Sequence, residues 1–148
     1  MEIHFGRLPL WAAFCGVLML SAMGARASDL PSTLAQGAIK TVIIRQLGAF
    51  SRHDAGAAYS LASPMIQQLF KSPENFIAMV RSGYPQVYRH RRAEFGDLIL
   101  LGGELAQPVI FTGTDGHRVL AVYAMVKDAA GAWRINGCRL LQKGALAA

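Results

Sequence analysis

The sequence predicts an α+β domain, in which a set of helices precedes an antiparallel sheet. In the first half, apolar residues recur three or four positions apart, which marks one face of an amphipathic helix. These residues are Ile39, Val42, Ile43, Leu47 and Phe50. From Ala93 the pattern changes to four segments rich in Val, Ile, Leu and aromatic residues, separated by short turns. A helical half followed by an antiparallel half is typical of the α+β class.

Three further helix starts follow in the first half. Asp54 precedes a short helical segment, and its carboxylate can accept hydrogen bonds from the first free backbone N–H groups. Ser63-Pro64 and Ser72-Pro73 each combine a capping hydroxyl with a proline whose missing N–H costs nothing in the first turn. The last of these helices is predicted to bury one face, formed by Phe76, Met79, Val80 and Tyr84.

The predicted strands are residues 93–101, 105–114, 118–127 and 132–141. The turns between them contain Gly102-Gly103, Asp115-Gly116 and Ala130-Gly131. Asp115-Gly116 is the strongest hairpin signal, because a tight two-residue turn needs positive φ values that Asp and Gly tolerate. Residues 119–126 are apolar at both alternating positions, so this strand is predicted to be central, with both faces covered or partly covered.

The N-terminal segment predicts export from the cytoplasm. Arg7 precedes an apolar run at residues 8–23, and Ala25-Arg26-Ala27 then supplies small residues, which is the pattern of a cleavable secretory peptide. The run is too short, and too broken by Pro9 and Ser21, for a membrane span. We therefore expect a periplasmic or secreted protein with no transmembrane segment after cleavage.

Cleavage is expected after Ala27, which leaves residues 28–148 as a single domain. The full chain of 148 residues carries a net charge of +6. Outside the cytosol, a charge of this size favours phospholipid headgroups or envelope polymers over nucleic acid as partners. Of the two cysteines, Cys15 leaves with the signal. Cys138 then has no internal disulfide partner, and we interpret it as a small buried hydrophobic residue rather than a reactive thiol.

Several strings in the chain are shared with one bacterial family. They are Gln46-Leu47-Gly48-Ala49-Phe50, Asp54 with Ala58-Tyr59, Ala62-Ser63-Pro64, Phe76-Ile77-Ala78-Met79-Val80, Gly83-Tyr84, Val87-Tyr88, Asp115-Gly116 and Trp133-Arg134-Ile135-Asn136-Gly137. In combination they resemble the family called domain of unknown function 4864, over about residues 39–141. That family is similar to the cystatin-like superfamily of nuclear transport factor two and ketosteroid isomerase. The resemblance implies three N-terminal helices on a curved, four-stranded antiparallel sheet, with a conical cavity between the layers. It implies no function, because unrelated activities share this fold.

A segment rich in tyrosine and arginine is the first candidate binding site. Residues 84–92 place Tyr84 and Tyr88 close in sequence to Arg89 and Arg91. Arginine forks grip carboxylates and phosphates, and a tyrosine can stack on the same ligand or hydrogen-bond to it. In the alternative interpretation this segment is a solvated connection, with both tyrosines anchored in the core and the arginines in water.

A cavity carboxylate with aromatic neighbours is the second candidate. Alternation places Asp97 on the same strand face as Phe95 and Ile99, where burial would raise its pKa and allow it to act as a base. If that strand face is instead exposed to solvent near a sheet edge, Asp97 is an ordinary surface residue. The aromatic residues that would line the cavity, or else pack in the core, are Tyr59, Tyr123 and Trp133.

The sequence favours a non-catalytic binding module over an enzyme. Its histidines after residue 27 are scattered, without paired cysteines or carboxylates at metal-ligand spacing, so neither a metal nor a cofactor is predicted. The expected partner is a small apolar or anionic ligand or an envelope protein. The alternative is a small-molecule isomerase or dehydratase, in which Asp97 or another cavity carboxylate takes a proton while Tyr84 or Tyr59 donates to the developing oxyanion. A homodimer formed through the open sheet face is a third interpretation.

Overall fold

The computed structural model describes residues 33–141, which form five helices and one antiparallel sheet. The helices are α1 (Thr33–Ser51), α2 (Ala55–Ser60), α3 (Pro64–Phe70), α4 (Pro73–Gly83) and α5 (Pro85–Tyr88). The strands are β1 (His90–Phe95), β2 (Ile99–Leu101), β3 (Glu104–Gly113), β4 (Arg118–Lys127) and β5 (Trp133–Leu141). This order confirms the predicted α+β class. The resemblance implied three helices, whereas residues 33–141 contain five, of which α2, α3 and α5 have only four to seven residues each.

The expected export signal, with Cys15 and the cleavage position after Ala27, lies outside the described residues. Within residues 33–141, no helix combines the length and the apolar character needed to cross a membrane.

Side-chain caps start three helices at the positions that the sequence predicts. Asp54 Oδ1 accepts a hydrogen bond from the Ala57 N–H at the start of α2, at 2.9 Å. The hydroxyls of Ser63 and Ser72 accept in the same way at the starts of α3 and α4, and a proline follows each serine. These contacts join residues only three positions apart, so local sequence is enough to specify them.

The sheet has the strand order β1-β3-β4-β5, and β2 also pairs with β3. β1 runs alongside residues 109–113 of β3, and β2 runs alongside residues 104–106. β4 lies between β3 and β5, which confirms its predicted central position. The expectation of four strands was wrong, because β1 and β2 were predicted as one strand over residues 93–101.

Residues 96–98 break that predicted strand in two. The reason lies in β3, where Pro108 has no N–H to donate across the sheet. The Gly96 N–H still donates to the Pro108 carbonyl oxygen at 3.0 Å. The return bond comes from the side chain of the buried Gln107, whose Nε2 donates to the Gly96 carbonyl oxygen at 2.7 Å. A side-chain amide therefore replaces the ladder donor that proline lacks.

A two-residue turn forms at Gly102-Gly103, and not at Asp115-Gly116, where it was expected. Gly102 and Gly103 both have positive φ, at 60° and 85°, as a two-residue turn between β2 and β3 requires. In the Asp115-Gly116 loop only Gly116 has positive φ, at 83°. The expectation of a two-residue turn there was wrong: the Gly113 N–H donates to the His117 carbonyl oxygen at 2.8 Å, so the loop between them has three residues. Asp115 Oδ1 also accepts from the His117 N–H at 3.0 Å.

The core fills the space between α1 and the inner face of the sheet. Ile39 and Ile43 of α1 are completely buried, as are Val109, Phe111 and Ala121 of β3 and β4. The helical residues are four positions apart and the strand residues alternate, so each element turns one apolar face inward.

Replacing Ser63 with alanine is expected to destabilise the fold more than the same change at Ser72. Ser63 is buried, caps the Ile66 N–H and donates to Asn136 Oδ1 of β5 at 2.7 Å. Its loss removes a cap and leaves an acceptor unsatisfied, at a cost of about 2–3 kcal/mol. Ser72 caps only the Asn75 N–H, so its loss should cost about 1 kcal/mol. Urea unfolding measures both; equal losses would show that the bond to Asn136 contributes nothing.

Candidate functional site

An apolar cavity of about 210 Å³ lies between the helices and strands β4 and β5. Its wall is mostly aromatic and aliphatic, with contributions from Phe50, Ile66, Phe70, Phe76, Met79 and Val80. Leu69 of α3 also lines the cavity while 66% of its surface is exposed, so it marks the rim of an opening to solvent. The polar members of the wall are Gln46, Tyr84, Tyr123 and Cys138.

Strand register brings two of these polar side chains together. Tyr123 of β4 pairs with Cys138 of β5, so the two side chains share the inner face of the sheet. Tyr84, just after α4, reaches the same place from the helical layer, and its hydroxyl donates to the Cys138 carbonyl oxygen at 2.7 Å. That bond fixes the end of α4 against β5 and closes one side of the cavity.

The Tyr123 hydroxyl has no hydrogen-bond partner among the residues that the structure describes. The whole residue is only 1% exposed. The Cys138 thiol and the Tyr84 phenol both influence this hydroxyl electrostatically, but a thiol is a weak hydrogen-bond partner. Leaving such a hydroxyl unsatisfied costs about 1–3 kcal/mol. The fold therefore retains an unfavourable group on the wall of this apolar cavity.

The cavity wall is electrically neutral near pH 7. Burial raises the pKa of Tyr84, raises that of Tyr123 well above its ordinary value, and raises the pKa of Cys138 to about 12. The other described residues of the wall include no Asp, Glu, His, Lys or Arg. The wall thus offers hydrogen-bonding groups but neither a base nor an ion-pair partner.

Gln46 is a wall residue that the sequence interpretation missed. It is buried on α1, and its Nε2 donates to the Ala58 carbonyl oxygen of α2 at 3.2 Å. A signal for it exists in the sequence, since Gln46 falls on the apolar stripe between Ile43 and Phe50. A polar side chain on a buried stripe must find an internal partner, and here it ties two helices together.

The model of one protein family, described as a domain of unknown function (DUF4864), matches residues 32–148. The chain belongs to this family. Among solved structures, it is similar to Aln2 from a Streptomyces species, with 14% sequence identity and a TM-score of 0.50. That likeness covers 79% of this chain and 96% of Aln2, and at this identity it concerns the fold alone. The comparison with curated proteins finds no match.

Of the eight residues predicted as ligand contacts, the DUF4864 domain places Tyr84 and Tyr123 on the cavity wall. Tyr59 lies outside it, with its hydroxyl donating to the Gln67 carbonyl oxygen and its ring 5.7 Å from that of Phe76. Trp133 is half-buried at the start of β5, with Lys127 Nζ 5.1 Å from its ring centroid. Neither of these two aromatic residues lines the cavity.

The tyrosine-arginine segment does not form a single site. Tyr88 is buried, and its hydroxyl accepts a hydrogen bond from Arg81 Nη2 at 3.0 Å and contacts His53 Nδ1 at 3.0 Å. Arg89 and Arg91 are exposed. Arg91 borders a surface groove, away from the cavity, that it shares with Arg92, Glu94, Thr112 and Arg118. This arrangement matches the alternative interpretation, in which the tyrosines anchor the chain and the arginines face water.

Asp97 is exposed in the break between β1 and β2 and is not part of the cavity wall. The expected alternation with Phe95 and Ile99 was wrong because residues 96–98 leave the ladder at Pro108. The isomerase or dehydratase interpretation thereby loses Asp97 as its base, and the described residues of the cavity wall include no other carboxylate. Among residues 33–141, no three His, Cys, Asp or Glu side chains cluster in a way that could hold a metal ion.

Proposed function

We propose that the DUF4864 domain is an exported, non-catalytic binding module for a small and mostly apolar molecule. The observation that carries the proposal is the cavity of about 210 Å³ with its aromatic and aliphatic wall. Clefts that hold drug-sized ligands measure about 300–1,000 Å³, so the ligand proposed here is smaller. The described residues of the cavity wall are neutral and include no general base, which supports binding of a molecule without chemical conversion.

Export is the second part of the proposal, and it rests on the sequence of the first 27 residues. Native mass spectrometry tests it with protein purified from the periplasm of a host that expresses the full-length gene. A mass matching residues 28–148 with a stoichiometric small adduct would support both export and binding, and the charge states would report any homodimer. Protein found only in the cytoplasm at full mass would contradict export.

Filling the cavity is expected to abolish binding without unfolding the domain. Ile66 of α3 is half-buried and lines the cavity, so Ile66→Trp places an indole where the ligand would lie. We expect affinity for toluene, used as an apolar probe, to fall at least roughly tenfold, or about 1.4 kcal/mol. A ligand that binds only the folded state also raises the melting temperature, and this rise should be lost with the affinity.

Met65→Trp is the matched control, because Met65 is the preceding residue of α3, is 56% exposed and lies outside the cavity wall. It should bind toluene like the wild type. Equal binding by the two tryptophan variants would show that toluene binds elsewhere, and no binding by the wild type would remove the proposal.

A further inference from the structure

We infer that the cavity selects neutral ligands that carry a hydrogen-bond acceptor, and that the Tyr123 hydroxyl donates to this acceptor. The inference rests on the proposed binding function and adds the chemical class of the ligand. Three properties of the cavity lead to it: an uncommitted donor, the absence of charge on its described wall, and its size.

The uncommitted donor is the hydroxyl of Tyr123. Tyr84, the other tyrosine of the wall, already donates to the Cys138 carbonyl oxygen. Gln46 likewise uses its amide nitrogen to bond the Ala58 carbonyl oxygen. The Tyr123 O–H makes no hydrogen bond of ordinary geometry within residues 33–141, and its polar neighbour on the wall is the Cys138 thiol, which is only a weak acceptor. A carbonyl, ether or hydroxyl oxygen on a bound molecule would satisfy it and remove the cost of its isolation.

The lack of charge on the described wall selects against ions. A carboxylate or ammonium entering the cavity would lose its hydration and meet no opposite charge among the described lining residues. Such a transfer costs far more than a single neutral hydrogen bond returns. A fatty acid or an amino acid is therefore a poor ligand, whereas a ketone, aldehyde, ester or phenol is a suitable one.

The size and shape of the cavity favour a single ring. An apolar cavity of about 150 Å³ admits benzene. At about 210 Å³, the cavity has additional room for a short substituent that could carry the acceptor. Phe70 and Phe76 meet edge to face on its wall, with centroids 5.8 Å apart, and aromatic rings also pack well against such edges and faces.

Three probes of nearly equal size test the inference on the purified protein. Acetophenone carries a carbonyl acceptor, α-methylstyrene replaces that oxygen with a methylene, and benzoate carries a charge. We expect the wild type to bind acetophenone roughly tenfold more tightly than α-methylstyrene, the value of one good hydrogen bond, and benzoate more weakly than either. Tyr123→Phe should bind the two neutral probes equally.

Tyr88→Phe is the control variant, since Tyr88 is a buried tyrosine outside the cavity wall whose hydroxyl is bonded to Arg81. It should keep the preference for acetophenone but unfold more easily. Tyr123→Phe should be no less stable than the wild type, because it removes an unpartnered hydroxyl. A destabilised Tyr123→Phe would assign that hydroxyl a structural role and overturn the inference.

The remaining outcomes separate this inference from the proposed function. Equal binding of both neutral probes by the wild type would contradict the role of Tyr123 and leave an indiscriminate apolar binding module. Tighter binding of benzoate would contradict the selection of neutral ligands. Failure of both neutral probes to bind would remove the binding function itself.

Discussion

Replacing Phe111 with alanine is expected to lower the free energy of unfolding by about 3–5 kcal/mol. Phe111 is completely buried in β3, where its ring centroid lies 5.4 Å from that of His90 and 6.3 Å from that of Tyr123. The surrounding strands are held by ladder hydrogen bonds and cannot collapse into the space that the ring leaves. The loss is a large part of the roughly 5–15 kcal/mol by which typical domains are stable. Urea unfolding followed by circular dichroism measures it.

Leu100→Ala is the comparison variant, because Leu100 of β2 is 60% exposed. It should change the free energy of unfolding by no more than about 0.5 kcal/mol. If Phe111→Ala also cost less than about 1 kcal/mol, the core would not lie between the helices and β3. The His90 contact gives a second readout, since loss of the Phe111 ring should shift the NMR signals of that imidazole.

The helical half of the DUF4864 domain was largely predictable, because its decisive interactions are local. Asp54, Ser63 and Ser72 each cap a backbone N–H three residues ahead, so a short window of sequence contains both partners. The central position of β4 was also predictable, since apolar residues at both alternating positions are typical of a strand whose two faces are covered, and such strands lie inside a sheet rather than at its edge.

The strand itself carries only a partial signal for the split between β1 and β2, since Gly96 and Asp97 are both poor strand formers. The cause of the split, Pro108, lies in the neighbouring strand, and the repair comes from Gln107 beside it. A pattern search along residues 93–101 contains neither residue. Interruptions imposed by a partner strand become visible only when the register is known.

The contacts that form the cavity wall could not be predicted from the sequence either, because they join residues far apart in the chain. Tyr84 and Tyr88 are four residues apart and formed one candidate site in the sequence, yet Pro85 starts a separate helical turn between them. As a result Tyr84 reaches Cys138 on the sheet, whereas Tyr88 packs against Phe50 with ring centroids 5.5 Å apart. Long-range register, which also sets Tyr123 beside Cys138, decides which aromatic residues meet.

Cys138 in the folded protein is expected to react with iodoacetamide roughly a thousandfold more slowly than an unperturbed cysteine at pH 8. Burial raises its pKa from the usual 9.0 to about 12, and only the thiolate is alkylated. Each unit of pKa lowers the thiolate fraction about tenfold in this range. A Cys15→Ser variant leaves Cys138 as the single thiol, so that mass spectrometry can follow the reaction directly.

The pH dependence of this reaction separates a raised pKa from simple steric protection. In folded protein the alkylation rate should keep rising about tenfold per pH unit beyond pH 9, whereas protein unfolded in urea should level off near pH 9. Between pH 9 and 12 the folded state holds the Cys138 proton more tightly than the unfolded chain does. The free energy of unfolding should therefore be highest below pH 9 and fall as pH rises through this range. A rate in folded protein that levels off near pH 9 would contradict the raised pKa, and rapid alkylation at pH 8 would place Cys138 in contact with water.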